Sequence, residues 1–589
     1  MKKKLVAALM ASVMCLSMLA GCGNNEDGSS GSGSGTPGGS TPTSSTPSSS
    51  TPSDSASGSS DEQPTTDPNA FEQTWPDGQV ITWMVRDDNS TADETRYDQL
   101  IAIEKIEEMF HVDIQFIPMN GKDQAGEETG AAAARYVAMM SDVKNLPDVV
   151  GYMHNDTYKE KGGISGLYND GVCIALNDLI DTKIPNLKRI FEEHPDIARD
   201  MSDGAGNYLY LQRINPFESE RDYISSTTTG LVMRKDWLDA VGMDVPTNMD
   251  EWSEVLQAFK TMDPNGNNQN DEIPFNAYSS GIQLFEAAYG MLSGIYIDPK
   301  TGKVEHGART QEYKEYLTKM NEWYTDGLMD LVFDENGNSV SKGGDDLVTG
   351  GLAGSWKGLS NNDTKFAEVM RTDGGQPDTE LVAVPWPATA NGAVYSQRGV
   401  SRLQKNTVVV TTNCAKDPNK LDAVAAIFNY MLSEEGSLLL TWGEEGVTFT
   451  TDDHGVRTLT EYGNEQIEVG SSKPQRYKMY GNQSDCLVSY GNFDVDSATR
   501  DEWYNESATV WATADFSLIY PASITLTADQ TARIGDSQLA TYIGEMKWKF
   551  ITGQEPLANY DTYLAELERL GISNMVEVYQ EAYDAYMAP

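Results

Sequence analysis

The most informative spacing of oxygen-bearing side chains lies in a short polar segment near the middle of the chain. Counted from Asp263, acid or amide side chains stand at positions 1, 3, 5, 7, 9 and 10. Alternating oxygen ligands of this kind curl around one Ca²⁺, which takes roughly six to eight hard oxygens. The alternative is an Asn- and Gly-rich turn that needs no metal. The spacing predicts a structural Ca²⁺ site formed by Asp263, Asn265, Asn267, Gln269, Asp271 and Glu272.

A second set of candidates combines aromatic rings with polar side chains, which suits a sugar ligand. The chain has 11 Trp and 28 Tyr. Sugar C–H faces pack on aromatic rings, while sugar hydroxyls need paired donors and acceptors. For each Trp the alternative is core packing, because most large aromatic side chains fill cores. The predicted ligand-binding residues are Trp356, Trp386, Trp442, Arg86, Asp87, Asn155, Gln397 and Arg398.

Motifs of catalytic sites are missing from the sequence. It contains no GxxxxGK[ST] loop, no HExxH motif and no GxSxG between a predicted strand and helix. The five His are scattered without ligand spacing. Acidic residues are so abundant that two carboxylates at the separation of a glycosidase pair would carry no information. We therefore expect that the chain is not an enzyme.

Alternating strands and helices must position the polar candidates in the first half of the chain. Strands are predicted at 79–86, 112–117 and 147–152, with helices at 97–110 and 131–140. This alternation predicts an α/β fold with a parallel sheet, whose ligands bind at the carboxyl ends of the strands. Arg86 and Asp87 lie at the carboxyl end of the first of these strands, and Asn155 lies just after the third.

The second half repeats the mixture of strands and helices. A strand at 230–234 runs into a helix, and further strands are predicted at 381–387 and 407–412. Apolar periodicity predicts helices at 249–262, 282–291, 311–326 and 417–440. Residues 530–589 are predicted to be mostly helical, with breaks near Gly553 and Gly571. A chain of this length is too long for one core, so two or more domains are expected.

The N-terminus has the features of a secretory signal. Three Lys precede an apolar stretch at 5–19 that is too short to span a membrane. The sequence Leu19-Ala20-Gly21-Cys22 resembles the lipobox of bacterial lipoproteins, which implies cleavage before Cys22 and a lipid on its thiol. A plain signal peptide with an incidental Cys is the alternative. Residues 22–78, rich in Gly, Ser, Thr and Pro, are expected to form a disordered tether.

Charge and cysteine content narrow the possible partners. The chain has 43 basic and 89 acidic side chains. Loss of residues 1–21 would leave 40 basic and 89 acidic side chains, a net charge of −49. This charge argues against a nucleic acid partner, because proteins bind nucleic acid by placing Lys and Arg on its phosphates. Cys173, Cys414 and Cys486 would remain beside the lipidated Cys22. An odd, widely spaced set favours buried free thiols over a disulfide framework, although one bridge is compatible with it.

Taken in order, these pieces resemble family 1 extracellular solute-binding proteins of ABC importers, in their large Gram-positive lipoprotein branch. The likeness extends over residues 79–589 and is carried by no single motif. Its features are the lipobox, the tether and the segments 230–239, 246–247, 251–252, 350–356, 417–418, 429–436, 442–447, 526–530 and 549–553.

The resemblance implies a two-lobed periplasmic-binding-protein-like fold of type II, with a hinge and an interlobe cleft that holds the ligand. The first lobe would comprise 79–229 with 388–450, and the second 230–387 with 451–589. The implied function is capture of a carbohydrate, in particular an oligosaccharide, for a membrane permease. The protein would act as a monomer on the outer face of the cell membrane. The family places a sugar-stacking aromatic residue at the position of Trp356.

The polar segment at 263–272 also resembles an EF-hand loop and the calcium loop of alginate-type members of the family. It departs from the EF-hand pattern because Gly266 stands at position 4 rather than 6 and Pro274 occupies position 12. A variant cage that uses Asp271 and Glu272 is therefore expected. Two other functions stay open at this point, a lipid-anchored polysaccharide-degrading enzyme and a surface adhesin displayed on the tether.

Overall fold

The computed structural model describes residues 69–87, 100–120, 138–151, 163–203, 205–215, 228–277, 281–330, 332–333, 339–340, 345–399, 402–403, 407–468, 487–491, 502–524, 526–535 and 538–588. The predicted signal peptide and most of the predicted tether lie outside these residues. No helix in the described part of the chain combines the length and apolar character needed to cross a bilayer.

The strands, in chain order, are β1 (Gln79–Asp87), β2 (Val112–Asn120), β3 (Val149–Val150), β4 (Arg213–Ile214), β5 (Thr229–Arg234), β6 (Phe275–Asn276), β7 (Ile295–Ile297), β8 (Val304–His306), β9 (Met329–Asp330), β10 (Val332–Phe333), β11 (Ser339–Val340), β12 (Ser355–Leu359), β13 (Leu381–Val384), β14 (Val409–Val410), β15 (Phe449–Thr451), β16 (Arg457–Leu459) and β17 (Ser489–Tyr490).

The α-helices are α1 (Ile101–Phe110), α2 (Gly163–Asn169), α3 (Asn177–Thr182), α4 (Pro185–Glu193), α5 (Pro195–Met201), α6 (Lys235–Val241), α7 (Met249–Thr261), α8 (Gln311–Thr325), α9 (Asp345–Thr349), α10 (Ser360–Thr372), α11 (Pro418–Met431), α12 (Glu434–Trp442), α13 (Glu461–Glu468), α14 (Glu502–Ala512), α15 (Ala528–Ile534), α16 (Leu539–Ile551), α17 (Tyr560–Arg569) and α18 (Ile572–Met587). Short 3-10 helices lie at Gly281–Tyr289, Gly307–Arg309, Cys414–Lys416 and Leu557–Asn559.

Two larger sheets form the framework. The first has the order β14-β3-β1-β2, in which β1 runs parallel to β2 and β3. Only β14 is antiparallel in this sheet. A long segment that includes the second large sheet separates β3 from β14 in the chain. The two strands are therefore not joined as a β-helix-β unit, and no crossover helix requires β14 to run parallel.

The second large sheet has the order β13-β5-β12-β6-β9 and is mixed. Strand β5 is antiparallel to both β12 and β13, whereas β12, β6 and β9 run parallel. The α/β architecture predicted from the sequence is confirmed. The prediction of a parallel sheet holds only in part, because β14, β12 and β13 pair antiparallel with their neighbours β3 and β5.

Each large sheet has its own hydrophobic core, and each core with its elements is called a lobe here. The first core draws its buried side chains from Trp75 to Ile214, then from Leu403 to Leu440, and finally from Leu487 and Val488. The second core takes those from Leu231 to Trp386 and from Trp511 to Ile572. The chain therefore passes between the cores three times within the described residues. The lobe boundaries drawn from the sequence stay a prediction. They assign residues 451–589 to the second lobe, whereas Leu487 and Val488 pack in the first core.

Local chemistry explains where helices begin and end. The Asn248 side chain caps α7 by accepting from the backbone N–H groups of Asp250 and Glu251 at 3.1 Å each. The long helix predicted at 417–440 is divided into α11 and α12, and Ser433 caps the second. At this break Gly436 packs so closely that a Cβ would lie 1.9 Å from the carbonyl oxygen of Tyr430. The predicted helix at 282–291 is a 3-10 helix, Gly281–Tyr289.

Candidate functional site

The loop after α7 is folded around its own oxygen side chains. The Asp263 carboxylate accepts from the backbone N–H of Asn267 at 3.2 Å and of Asn268 at 3.0 Å. The Asn265 side-chain oxygen accepts from Asn267 N at 3.0 Å. The Asn267 amide nitrogen in turn donates to Asp271 at 3.1 Å. Asp263 and Asn268 have φ values of 49° and 57°, a left-handed conformation that Asp and Asn tolerate better than most residues. The predicted ligands are thus held within one tight turn.

Among the described residues, no basic side chain forms an ion pair with the acids of this loop. Burial raises the pKa of the Glu272 carboxyl, and the negative charges of Asp271 and Asp263 raise it further. One Glu272 oxygen, Oε1, is buried and has no hydrogen-bond partner among the described residues. A cation would satisfy this oxygen and relieve the repulsion.

A cation in this loop would need both carboxylate and amide oxygens as ligands. Within the described residues, no group of three or more His, Cys, Asp or Glu side chains is arranged to hold a metal ion. Amide oxygens of Asn265 and Asn267 would have to complete a set begun by the carboxylates, which is chemistry that suits Ca²⁺. The Gln269 side chain is exposed, and only its backbone N–H enters the network, donating to Asn267 at 2.6 Å.

Trp356 lies in the second lobe, on the central strand β12. Only 3% of its surface is exposed, and its indole N–H donates to Asp363 Oδ1 at 3.0 Å. Asp363 is itself fully buried at the start of α10, and burial raises its pKa to about 7. Its second oxygen has no hydrogen-bond partner among the described residues. Trp356 is thus oriented by a buried carboxyl group that sequence patterns do not indicate.

The other two candidate Trp are also buried. Trp386 donates its indole N–H to the backbone oxygen of Trp511 at 2.9 Å. Trp442 packs against Phe449, with ring centroids 5.5 Å apart, in a small cluster of its own. The structure does not bring the three candidate Trp into one hydrophobic cluster, since Trp356 and Trp386 belong to the second core and Trp442 does not.

Gln397 lies on a segment that connects the lobes and makes two defined contacts. Its amide nitrogen donates to Glu286 Oε2 at 3.1 Å, and its oxygen accepts from Ala287 N at 3.0 Å. Glu286 is 1% exposed, and burial raises the pKa of its carboxyl. The neighbouring Arg398 is exposed. Gln397 therefore fixes the connecting segment to the 3-10 helix of the second lobe, while Arg398 is open to solvent.

The remaining candidates lie at or beyond the limits of the described residues. Arg86 and Asp87 end β1, and register pairs them with Met119 and Asn120 at the end of β2. Their backbone is therefore at the carboxyl edge of the first sheet, as predicted. Their side chains and the whole of Asn155 lie outside the described residues.

A cavity of about 440 Å³ opens in the second lobe between the β7–β8 hairpin, α8 and α17. None of the predicted ligand residues lines it. Its charged walls are already paired, with Lys300 bound to Glu312 and Arg309 bound to Glu305, each at 2.5 Å. This cavity is therefore separate from the candidate residues.

Two buried carboxyl groups with raised pKa values, those of Asp363 and Glu286, were not predicted from the sequence. Neither is marked by a motif, and acids are so common in this chain that one more attracts no notice. An acid beside buried aromatic residues on an apolar helix face is the only signal that the sequence offered for Glu286, and none was available for Asp363.

No protein-family model matches the chain. It is similar to the fructooligosaccharide ABC transporter substrate-binding protein FusA of Streptococcus pneumoniae, with 25% identity over 75% of this chain and 81% of FusA. It is 22% identical to the polygalacturonan/rhamnogalacturonan-binding protein YtcQ of Bacillus subtilis, over 82% of this chain and 88% of YtcQ. Lipoprotein LipO of Bacillus subtilis is 25% identical over 40% of this chain and 47% of LipO.

Solved structures share the fold. An extracellular solute-binding protein from Bifidobacterium longum subsp. infantis superposes with a TM-score of 0.63 over 87% of this chain and 99% of that one, at 20% identity. An EF-hand mutant of FusA in complex with fructo-nystose gives 0.60 over 86% and 99%, at 19% identity. The alginate-binding protein AlgQ2 without calcium ion gives 0.59 over 87% and 100%, at 20% identity.

FusA and YtcQ match most of this chain, and the structural neighbours are two-domain solute-binding proteins. The fold predicted from the resemblance is thereby confirmed. Similarity in sequence and in fold together confirm the resemblance to the family 1 solute-binding proteins of ABC importers.

Proposed function

We propose that this protein captures an oligosaccharide between its two lobes and delivers it to the permease of an ABC importer. The observation that carries the proposal is the similarity to FusA and YtcQ, two carbohydrate-binding proteins, over more than four fifths of their lengths. The three crossings of the chain between two separate cores supply the architecture that such capture needs. The relatives are binding proteins, and this supports binding rather than catalysis.

The proposal is tested by thermal-shift measurements with a panel of glycans. Kestose, oligogalacturonates, oligoalginates and neutral manno-oligosaccharides would each be added at several concentrations. A ligand that binds only the folded state should raise the Tm as its concentration rises, following RT ln(1 + [L]/Kd). Chromatography of the same mixtures should show intact glycan. A panel in which no glycan raises the Tm would contradict carbohydrate capture, and a cleavage product would favour the enzyme alternative.

The candidate ligand residues belong to this proposal. Arg86 and Asp87 at the end of β1, Asn155, and Gln397 with Arg398 on a connecting segment would supply polar contacts to sugar hydroxyls. Trp356, Trp386 and Trp442 are proposed as aromatic neighbours. Because all three Trp are buried in this structure, a sugar would reach them only after side chains or lobes move.

We further propose that the loop at 263–272 binds one Ca²⁺ with a structural role. Asp263, Asp271 and Glu272 would supply carboxylate oxygens, and Asn265 and Asn267 amide oxygens. The buried, unpartnered oxygen of Glu272 supports this assignment. So do the calcium and the EF-hand named for AlgQ2 and FusA. The bound ion would neutralise the loop and stabilise the end of α7.

Attachment of Cys22 to lipid on the outer face of the cell membrane is the third part of the proposal, with a monomeric receptor on the tether at 22–78. It is supported by the lipobox-like sequence and by partial similarity to Lipoprotein LipO. Two or more acyl chains give stable anchoring. A Cys22→Ser variant should move from the detergent phase to the aqueous phase of a Triton X-114 partition. Equal partitioning of both proteins would contradict the lipid anchor.

A further inference from the structure

Helix α5 of the first lobe touches the C-terminal helix α18. The hydroxyl of Tyr586 on α18 donates to Asp200 Oδ1 on α5. Arg199 Nη2, also on α5, donates to the same hydroxyl at 3.2 Å. The Arg199 guanidinium lies 4.1 Å from the centre of the Tyr586 ring, within range of a cation–π interaction. One Tyr therefore contacts two neighbouring charged residues of α5.

A second contact reaches the same carboxylate from a different part of the chain. Ser523 Oγ donates to Asp200 Oδ1 at 2.9 Å. Ser523 ends the segment 515–523, which we call the strap. The strap is bound to the second lobe, since Leu518 is buried in the second core and accepts from Ile297 N at 2.9 Å. Tyr520 of the strap donates to the backbone of Tyr579 on α18 at 3.1 Å.

The strap also holds one of the segments that connect the lobes. Asp515 N donates to Val394 O, and Ser396 N donates to Asp515 O, both at 2.9 Å. Ile519 packs against Gly399, where an added Cβ would lie 2.8 Å from its methyl group. The strap thus contacts the second core, the connecting segment 394–399 and Asp200 of the first lobe.

The two sides of the Asp200 contact belong to elements that pack in different hydrophobic cores. Ile197 and Met201 of α5 are fully buried in the first core, and Asp196 pairs with Arg402 at 2.8 Å. On the other side, Ile572 of α18 is buried in the second core, and Gln580 of α18 accepts from Val304 N on β8 at 2.8 Å. A movement of one lobe relative to the other therefore changes the distances at Asp200.

We propose that Asp200, Tyr586 and Ser523 form an interlobe latch that holds the lobe arrangement of this structure. Hydrogen bonds weaken steeply beyond about 3.5 Å, so a relative displacement of about 1 Å at this point breaks the latch. Hinge movements between domains are usually larger than that. The latch therefore adds to the stability of one arrangement and shifts the population between arrangements. Its effect on ligand affinity rests on the proposed function, whereas its effect on shape does not.

The test compares small-angle X-ray scattering of the ligand-free protein with that of two variants. Tyr586→Phe removes the hydroxyl and keeps the ring that packs on Arg199, and Ser523→Ala removes the second donor. Each should change the interlobe distance distribution and the radius of gyration while the Tm stays within the error of the wild type. Tyr583→Phe, one turn earlier on α18, is the matched control and should leave the scattering unchanged.

Identical scattering curves for the wild type, Tyr586→Phe and Ser523→Ala would overturn the latch, as would an equal change in the Tyr583→Phe control. Once the glycan panel has supplied a ligand, Tyr586→Phe should change its Kd by about three- to tenfold, the range of a partly exposed hydrogen bond to a charged group. An unchanged Kd together with an altered shape would contradict only the effect of the latch on ligand affinity and would leave its effect on shape in place. A panel without any ligand would remove the proposed function and leave the scattering result valid.

Discussion

At the residue scale, the clearest consequence of the structure concerns the buried carboxyl group of Asp363. Its folded-state pKa is about 7, against an ordinary value of 3.8, because burial disfavours the charged form. Between these two pH values the folded protein keeps a proton that the unfolded chain loses. The folded state thus binds more protons, so this group stabilises the fold fully below about pH 4 and progressively less as the pH rises to about 7.

An Asp363→Asn variant should lose this pH dependence and keep a hydrogen-bond acceptor for Trp356. The free energy of unfolding of the variant relative to the wild type should rise from pH 5 to pH 8, with an upper limit of about 3 kcal/mol, because only the two pH units between pH 5 and the folded-state pKa contribute. Urea unfolding at the two pH values measures this difference. Asp378→Asn, at an exposed carboxylate, is the control. Parallel pH profiles for Asp363→Asn and the wild type would contradict the prediction.

Single residues were also the hardest to predict from the sequence. Trp356, Trp386 and Trp442 are predicted to contact the ligand, yet a Trp near the end of a strand or helix packs inward as readily as outward. Cys173 and Cys414 are buried free thiols, as expected, since an odd, widely spaced set rarely forms a framework. The contact between Gln397 and Glu286 joins residues that lie more than a hundred positions apart, and no local pattern encodes such a pair.

At the element scale, β5 depends on a glycine that leaves room for an aromatic ring. A Cβ at Gly230 would lie 2.4 Å from the Trp511 ring on α14, and the Trp511 indole donates to Leu231 O at 3.2 Å. Gly230→Ala should therefore lower the free energy of unfolding by about 1–3 kcal/mol through overpacking. Denaturant unfolding measures the change. Gly294→Ala, where no atom lies within 4 Å of the new Cβ, should have little effect, and equal losses in both variants would contradict the packing argument.

The loop at 263–272 makes a second prediction at the scale of elements, which rests on the proposed Ca²⁺ site. Saturating Ca²⁺ at about a hundred times its Kd stabilises the fold by about 2.7 kcal/mol, so EGTA should lower the Tm by on the order of 5 °C. Asp271→Asn removes one charge at nearly constant size and should abolish the difference between Ca²⁺ and EGTA. Asp561→Asn on α17 is the control and should keep it. An identical wild-type Tm in Ca²⁺ and EGTA would contradict the site.

Most of the elements themselves could be read from local patterns. The predicted strand at 79–86 is β1, and the predicted helices at 249–262 and 311–326 agree with α7 and α8 within one residue at their ends. Their apolar periodicity and their caps are local signals. The division between α11 and α12 was missed because the close approach of Gly436 to the backbone of Tyr430 is decided by packing. The mixed order of the second sheet depends on strands more than a hundred residues apart, which periodicity does not encode.

At the scale of the whole molecule, the two features to explain are the division into two hydrophobic cores and the large negative charge. The similarity to a known family was needed to predict two lobes joined by crossings, because neither composition nor periodicity tells which segments share a core. The latch at Asp200 shows the same limit, since it joins α5 to the last helix across 386 positions. Charge, in contrast, is fully determined by the sequence and has consequences of its own.

The chain, with 43 basic and 89 acidic side chains, should be stabilised by salt. Mutual repulsion among acids disfavours the compact state, and ionic strength screens it because the Debye length falls from about 30 Å at 0.01 M to about 10 Å at 0.1 M. The Tm at pH 7 should therefore rise by several degrees between 10 mM and 300 mM NaCl, measured in EGTA so that Ca²⁺ does not contribute. KCl should act equally if ionic strength is the cause. A Tm that falls or stays constant would mean that specific ion pairs such as Lys420–Asp148, which salt weakens, outweigh the general repulsion.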